Sequence, residues 1–334
     1  MADTYTQVKD ITVNITTAAA AGSIGLGIPL VIQGMAAKAV DYVACSSLDE
    51  VVKAGFAAET EVYKACATIF AQKNNPKTVA VVATTGTVAE WLTANAAKDF
   101  RQIVPILGES DSAEAELVTA VSTLENKMLF LAVNNVDMIP ATQSERVVAV
   151  VHADTKVYAN AAVVGASAGL AAGSFTYKNL VLTGIAPANL TVAEVEAIHD
   201  AGAICIIKKA GDVVTSEGKT TDGEYIDIVD SKDYIISNIV YQGQKLLNNS
   251  NKLAFDNVGI SQLENVVTSV LADAFRSGII ATNEDGTAAY STNFATRAET
   301  SESDRAARTY NGGNFTFNLA GAIHNATING TLVI

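Results

Sequence analysis

The sequence predicts an α/β layer domain joined to a smaller α+β domain, completed by extended N- and C-terminal β-arms. Three observations carry this prediction. Apolar runs of strand length, TVAVVA (78–83), MLFLAV (128–133) and VVAVVH (147–152), alternate with helical patterns around 88–100 and 113–126, as in a largely parallel sheet covered by helices. A second composition begins near Gly211, where a polar hairpin pattern gives way to two long helical ones. Both ends of the chain alternate apolar and polar residues with period two, the signature of half-buried strands. The organisation expected is an N-terminal arm and linker (1–27), an α/β body (28–210), an α+β domain (211–310) and a C-terminal arm (311–334).

The first arm is DITVNITT, in which Ile11, Val13 and Ile15 alternate with Thr12, Asn14 and Thr16. The small residues of AAAAGSIGLG (18–27) follow, with Gly22 and Gly25 as expected hinges. Ser47 and Glu50 have capping-box spacing and open a helical stretch. In AAETEVYKACATIFAQ, Val62, Cys66, Ile69 and Phe70 share one helical face, and Asn74, Asn75 and Pro76 end it. Residues 157–177 carry no charge and space Gly165, Gly169 and Gly173 four apart, which mimics a small-residue membrane helix. Their bulk is Ala, Gly, Ser and Asn, whose transfer energy is slight beside that of Leu and Ile, so a tightly packed helix inside the protein is expected.

Beyond Gly211, DVVTSEGKTTDGEYIDIVDS reads as a hairpin, and SKDYIISNIVYQGQKLLNN as a helix with Ser231 at its N-cap. GISQLENVVTSVLADAFRSG is the clearest amphipathic helix: Ile260, Leu263, Val266, Val267, Val270, Leu271, Ala274 and Phe275 form one stripe and Gly278 stops it. In the last arm Phe315, Phe317 and Leu319 alternate with Thr316 and Asn318, then Ala326, Ile328 and Leu332 with Thr327, Asn329 and Thr331. Gly312 and Gly313 precede it as an expected hinge. Termini written as strands need a sheet edge to pair with.

Composition narrows the function. Of 334 residues, 49% are hydrophobic and 17% charged, with a net charge of −13, which argues against partners that need basic patches, namely nucleic acid and anionic membranes. Cys45, Cys66 and Cys205 are too scattered for a disulfide framework or a C-x-x-C metal pair and are expected as buried thiols. The start, MADTYTQVKD, is polar where an export signal would be basic and apolar, so cytoplasmic synthesis is expected and the sequons at Asn14, Asn189, Asn248, Asn314, Asn325 and Asn329 carry little weight.

No catalytic, cofactor-binding or metal-binding set emerges. The turn ATTGTVAEW holds Gly86 alone, without a phosphate-loop pattern, and GSIGLGIP is followed by Pro29 and a β-like run where a helix N-terminus would be needed. His152, His199 and His324 have no metal spacing. The acidic pairs Asp227 with Asp230 and Glu299 with Glu302 read as solvated faces.

Several blocks in order give the sequence its resemblance to the contractile tail sheath proteins of contractile-tailed phages and R-type bacteriocins. They are DITVNIT with its Gly-rich linker; RVVAVVHADTKVYANAAVVG leading into FTYKNLVLTGIAPANLTVAEVEAIHDAGAICII; EGKTTDGEYIDIVDSKDYIISNIVYQGQKLLNN; and SDRAARTYNGGNFTFNLAGAIHNATINGTLVI.

The resemblance implies an architectural subunit without catalytic residues or cofactors. It would stack as hexameric rings around an inner tail tube protein, meet baseplate and terminator proteins, and contract to drive the tube through a cell envelope. It implies that the arms, through Ile11, Val13, Ile15, Phe315, Phe317, Leu319, Ile328 and Leu332, pair with neighbouring copies by strand addition. The helix from Ile260 to Ser277 is the candidate for facing the tube. The particle would be a virion or phage-tail-like particle made in the host cytoplasm. Two other classes stay open at this point: a nucleotide-linked α/β enzyme, and a secreted lattice or adhesion protein.

Overall fold

The computed structural model describes residues 25–107, 114–330 and 332. The strand expected at Ile11, Val13 and Ile15 and the hinge at Gly22 lie outside them. Strands β1 (Leu30–Gln33) and β2 (Val40–Cys45) precede helices α1 (Leu48–Lys53) and α2 (Glu61–Phe70). Then come β3 (Val79–Ala83), α3 (Val88–Ala94), β4 (Gln102–Ile106), α4 (Glu114–Ser122), β5 (Met128–Val133), β6 (Val147–Val151) and α5 (Ala159–Ser167). Helix α6 (Val192–Asp200) leads to β7 (Ala203–Lys209) and β8 (Asp212–Thr215). The remainder is α7 (Ile226–Asn249), α8 (Asn257–Arg276), β9 (Tyr290–Phe294), α9 (Glu302–Ala307) and β10 (Gly313–Phe317).

Eight strands form one sheet in the order β2-β3-β1-β4-β5-β6-β7-β8. The six inner strands run parallel, and β2 and β8 pair antiparallel at the two edges. Alternate residues of the same strands feed opposite faces, which is why the inner strands read as unbroken apolar runs. Val31, Val81, Val104, Phe130, Val150 and Ile204 pack with α2 and α5, whereas Ile32, Val82, Ile103, Leu131, Ala149 and Cys205 pack with α3, α4 and α6. All three cysteines are buried free thiols, as expected.

The uncharged stretch is helical only over α5, and all nine residues of that helix are buried. A Cβ added at Gly165 would stand 2.6 Å from the Ile69 carbonyl oxygen, so glycine there lets α5 lie directly on α2. Among the described residues no helix is long and apolar enough to cross a membrane.

Three local expectations are corrected. Glu50 completes only half of the capping box: its N–H donates to Ser47 Oγ, but its carboxylate accepts from the N–H and hydroxyl of Ser46. The strand DVVT pairs with β7 because Ala210 and Gly211 take positive φ (49° and 100°) and make the two-residue hairpin turn, while the expected polar turn closes only a bridge between Lys219 and Tyr225. The boundary expected at Gly211 therefore falls on a turn between two strands of one sheet. Ser231 lies inside α7, which begins five residues earlier at Ile226; its hydroxyl donates to the Asp227 carbonyl within the helix.

The first turns of α7 belong to the large core, where Ile226 and Val229 are fully buried. Its later part packs with α8 and the small sheet around Ile235, Val267, Val270, Leu271 and Ala274. Between the two cores lies a buried ion cluster. Arg101 donates through Nη1 to Asp233 Oδ2 at 2.6 Å and through Nε to Asp230 Oδ1 at 3.2 Å. Arg146 reaches Asp233 from just before β6, and Tyr177 donates to Asp230 at 2.9 Å. Burial alone would weaken the Arg101 charge, but Asp230 and Asp233 outweigh it and hold the guanidinium above its ordinary pKa. The cluster ties the residues just before β4 and β6 to the N-terminal third of α7.

Candidate assembly site

Strands β9 and β10 form a separate antiparallel pair in which Gly313 faces Phe294, Phe315 faces Thr292 and Phe317 faces Tyr290. The pairing continues past the named strands. Asn318 N–H donates to Ala289 O, Ala281 N–H to Asn318 O, and Ala320 N–H to Ile279 O, all at 2.8–2.9 Å. Phe317 and Leu319 pack, half-buried, against the α7–α8 core, while Phe315 stays exposed. Thr292 ties β9 to α8 by donating to Glu264.

Phe315, Phe317 and Leu319, expected to pair between copies, thus have one strand edge taken up by β9 and the segment before it in the same chain, and the other edge carries no strand among the described residues. The hinge expected at Gly312 and Gly313 is corrected. Gly313 is a ladder residue, and the Gly312 carbonyl accepts from Ala295 N–H. A Cβ would stand 2.7 Å from Ala295 Cβ at Gly312 and 2.9 Å from the Phe294 ring at Gly313. Close packing, rather than freedom, selects glycine at both positions.

Freedom begins later. Gly321 has φ +60° with open space around its α-carbon, and the residues described beyond it have no regular structure. Ile323, Ile328 and Leu332 are 90%, 92% and 87% exposed. Among the described residues nothing of the same chain covers Ile328 or Leu332, and neither outer edge of the β9–β10 pair carries a further strand. At the other end Gly25 is exposed with open space around it, and the linker docks at Leu26 and Ile28, whose carbonyls accept from Asn126 and Arg101 N–H.

The helix expected to face a tube is α8, capped by Asp256. Ile260, named there as its first residue, is only 5% exposed and belongs to the buried side. Ser277 is the half-buried C-cap, its hydroxyl donating to the Asp273 carbonyl. What α8 offers outward is mostly polar, Asn257, Ser261, Gln262, Asn265, Ser269 and Arg276, with Val258 exposed near its start.

The other singled-out residues are engaged locally. The N-terminus of α3 beyond Gly86 is closed by a capping box in which Thr87 N–H donates to Glu90 at 3.0 Å, so a carboxylate occupies the place a phosphate would take. His152 lies within hydrogen-bond distance of the Asp154 and Ala186 carbonyls, and His199 of Ser216. Glu299 caps Thr296, and Glu302 is 97% exposed. Asp230 is buried, contrary to the solvated face expected. The missed signal was its phase: Asp230 follows Ile226, and Asp233 follows Val229, by four residues, on the face those residues bury. Among the described residues no group of three or more His, Cys, Asp or Glu could hold a metal ion.

No protein-family profile matches the chain, and no curated protein matches it in sequence. Solved structures match along its whole length. The helical sheath of the anti-feeding prophage in its contracted state has a TM-score of 0.67 at 13% identity, over 98% of this chain and 99% of that one. The contracted sheath complex of an extracellular contractile injection system, PVC, has a TM-score of 0.69 at 11% identity over 98% of both chains. The sheath tail protein from Listeria innocua has a TM-score of 0.59 at 14% identity, over 90% of this chain and 97% of that one. The chain has the tail sheath fold.

Proposed function

We propose that the chain is the structural subunit of a contractile tail sheath. The observation that carries the reading is the length of the likeness: it spans nearly the whole of this chain and of sheath chains whose described state is contracted. A baseplate assembly of the same prophage contains a similar chain, at 14% identity, which supports contact with baseplate proteins as well as with further copies.

In this reading the subunits form hexameric rings stacked around an inner tube, closed by baseplate and terminator proteins, in a virion or phage-tail-like particle made in the host cytoplasm. No catalytic step is involved; contraction releases energy stored at assembly. Each copy keeps a two-stranded sheet with open edges, and its neighbours' arms supply the missing strands. The residues beyond Gly321 are one arm, with Ile328 and Leu332 seated on a neighbour; Ile11, Val13 and Ile15 form the other. The outward polar face of α8 is the surface offered to the tube. Electron microscopy of the purified full chain tests this: wide hollow helical tubes are expected, and a monomer at every concentration and salt condition contradicts it.

A further inference from the structure

From Ala320 to Gly330 every residue is exposed except His324. This ring is held on three sides by its own chain. Nε2 lies 2.9 Å from Thr176 Oγ1, Nδ1 lies 3.7 Å from Glu217 Oε1, and the ring stands edge-on to Tyr225 with centroids 5.0 Å apart. Just before it, Gly321 and Ala322 roof a cavity of about 230 Å³ whose floor includes Asp227 and Ser231. Asp227 Oδ1 is buried there without a hydrogen-bond partner.

We propose that His324 is a pin that fastens the root of the C-terminal segment to its own body. The free segment then starts at Asn325, from a fixed point. The surroundings of the ring are charged. Glu217 faces it after β8. Burial works against the Glu217 charge, but Gly218 N–H and the Lys178 ammonium, 3.2 Å away, outweigh it and hold this carboxyl below its ordinary pKa. Glu217 is thus an anion at neutral pH.

From the start of α7, burial holds the Asp227 carboxyl above its ordinary value, and a charge on His324 opposes that shift. Two cations stand further back, each already engaged: Lys178 on Glu217 and Lys219 over the outer part of Tyr225, 5.0 Å from its centroid. The ring is thus held by Thr176, by the edge-on contact with Tyr225 and by the Glu217 carboxylate beside Nδ1 together.

The pin is a property of one chain, so it is tested on dilute, unassembled full-length protein and stands or falls apart from the sheath reading. A nitroxide on Ala326→Cys reports the motion of the segment, the native cysteines being buried. Spin-label mobility is expected to be low in the parent and severalfold higher in His324→Ala. His324→Gln, which can still bond Thr176, should be intermediate. Equal mobility in the parent and in His324→Ala would overturn the pin.

Discussion

Phe315 lies directly across the ladder from Thr292 of the same chain. That pairing assigns the first half of the C-terminal strand pattern to the subunit's own small sheet and leaves the second half, after Gly321, without a partner in the described chain. The consequences for assembly and for stability therefore separate at Gly321.

Truncation tests the separation. A chain ending at Gly321 loses, among the described residues, only exposed ones and the His324 contact, so it should stay folded and soluble with a nearly unchanged melting temperature, yet fail to assemble. Ending the chain at Asn311 instead removes β10 and uncovers Ala274 and Ile280, and the small domain should unfold at lower temperature. Circular dichroism and size-exclusion chromatography distinguish the two outcomes.

Substituting the glycines should give a complementary result. Gly313→Val drives a side chain into the Phe294 ring and should cost ~1–3 kcal/mol by overpacking, seen as a lower urea midpoint. Gly321→Val meets open space but cannot hold φ +60° without strain, so the chain after β10 should swing to another backbone angle, altering the direction in which the segment departs with only a small change in the urea midpoint. Similar midpoints for the two variants would put the constraint elsewhere.

The ion cluster makes a third prediction. Arg101→Met removes the cation between Asp230 and Asp233, both nearly fully buried, and leaves their charge shared with Arg146 alone. Loss of about 3–5 kcal/mol is expected for breaking such a set from one side. Restoring neutrality with Asp230→Asn in the same chain should recover part of it, measured by equilibrium urea denaturation as a double-mutant cycle.

Lys127 gives a pH signature. Burial, reinforced by the Arg101 charge and only partly offset by Asp99, lowers its ammonium from 10.5 to about 8. Between those values the unfolded chain keeps a proton that the folded chain has released, so the Lys127 contribution to stability rises with pH across this window. The difference in unfolding free energy between the parent and Lys127→Met should shift in the parent's favour from about pH 8 to about pH 10. A flat difference would mean that the ammonium is fully satisfied by the Lys98 and Phe100 carbonyls it contacts.

Much of the large sheet was legible because β3, β5 and β6 are unbroken apolar runs, a pattern that burial on both faces imposes on inner parallel strands. Strand β4 was not, because QIVPI carries a proline that ordinarily argues against a central strand. The structure accommodates it: pairing with β5 ends at Ile103, two residues before Pro105, which has no N–H to give. Asp230 and Asp233 look like surface charges in one dimension, since their partners Arg101 and Arg146 are distant in sequence and only the fold brings them together. The C-terminal pattern showed strand character but not its partner: one edge of its first half pairs within the chain, because period two reports that a sheet face is required and not whose sheet supplies it. His324 gave no signal at all: its partners Thr176, Glu217 and Tyr225 come from three separate segments.

The most direct measurement is a helical reconstruction of the assembled particle by cryo-electron microscopy, at a resolution that traces residues 311–334 of every copy. The expected result is β9 and β10 paired within each subunit, with the chain leaving at Gly321 and Asn325 so that Ile328 and Leu332 lie on the small sheet of a neighbour. A segment that folds back onto its own subunit, or particles held together without it, would contradict the claim that this chain assembles by lending its last strand.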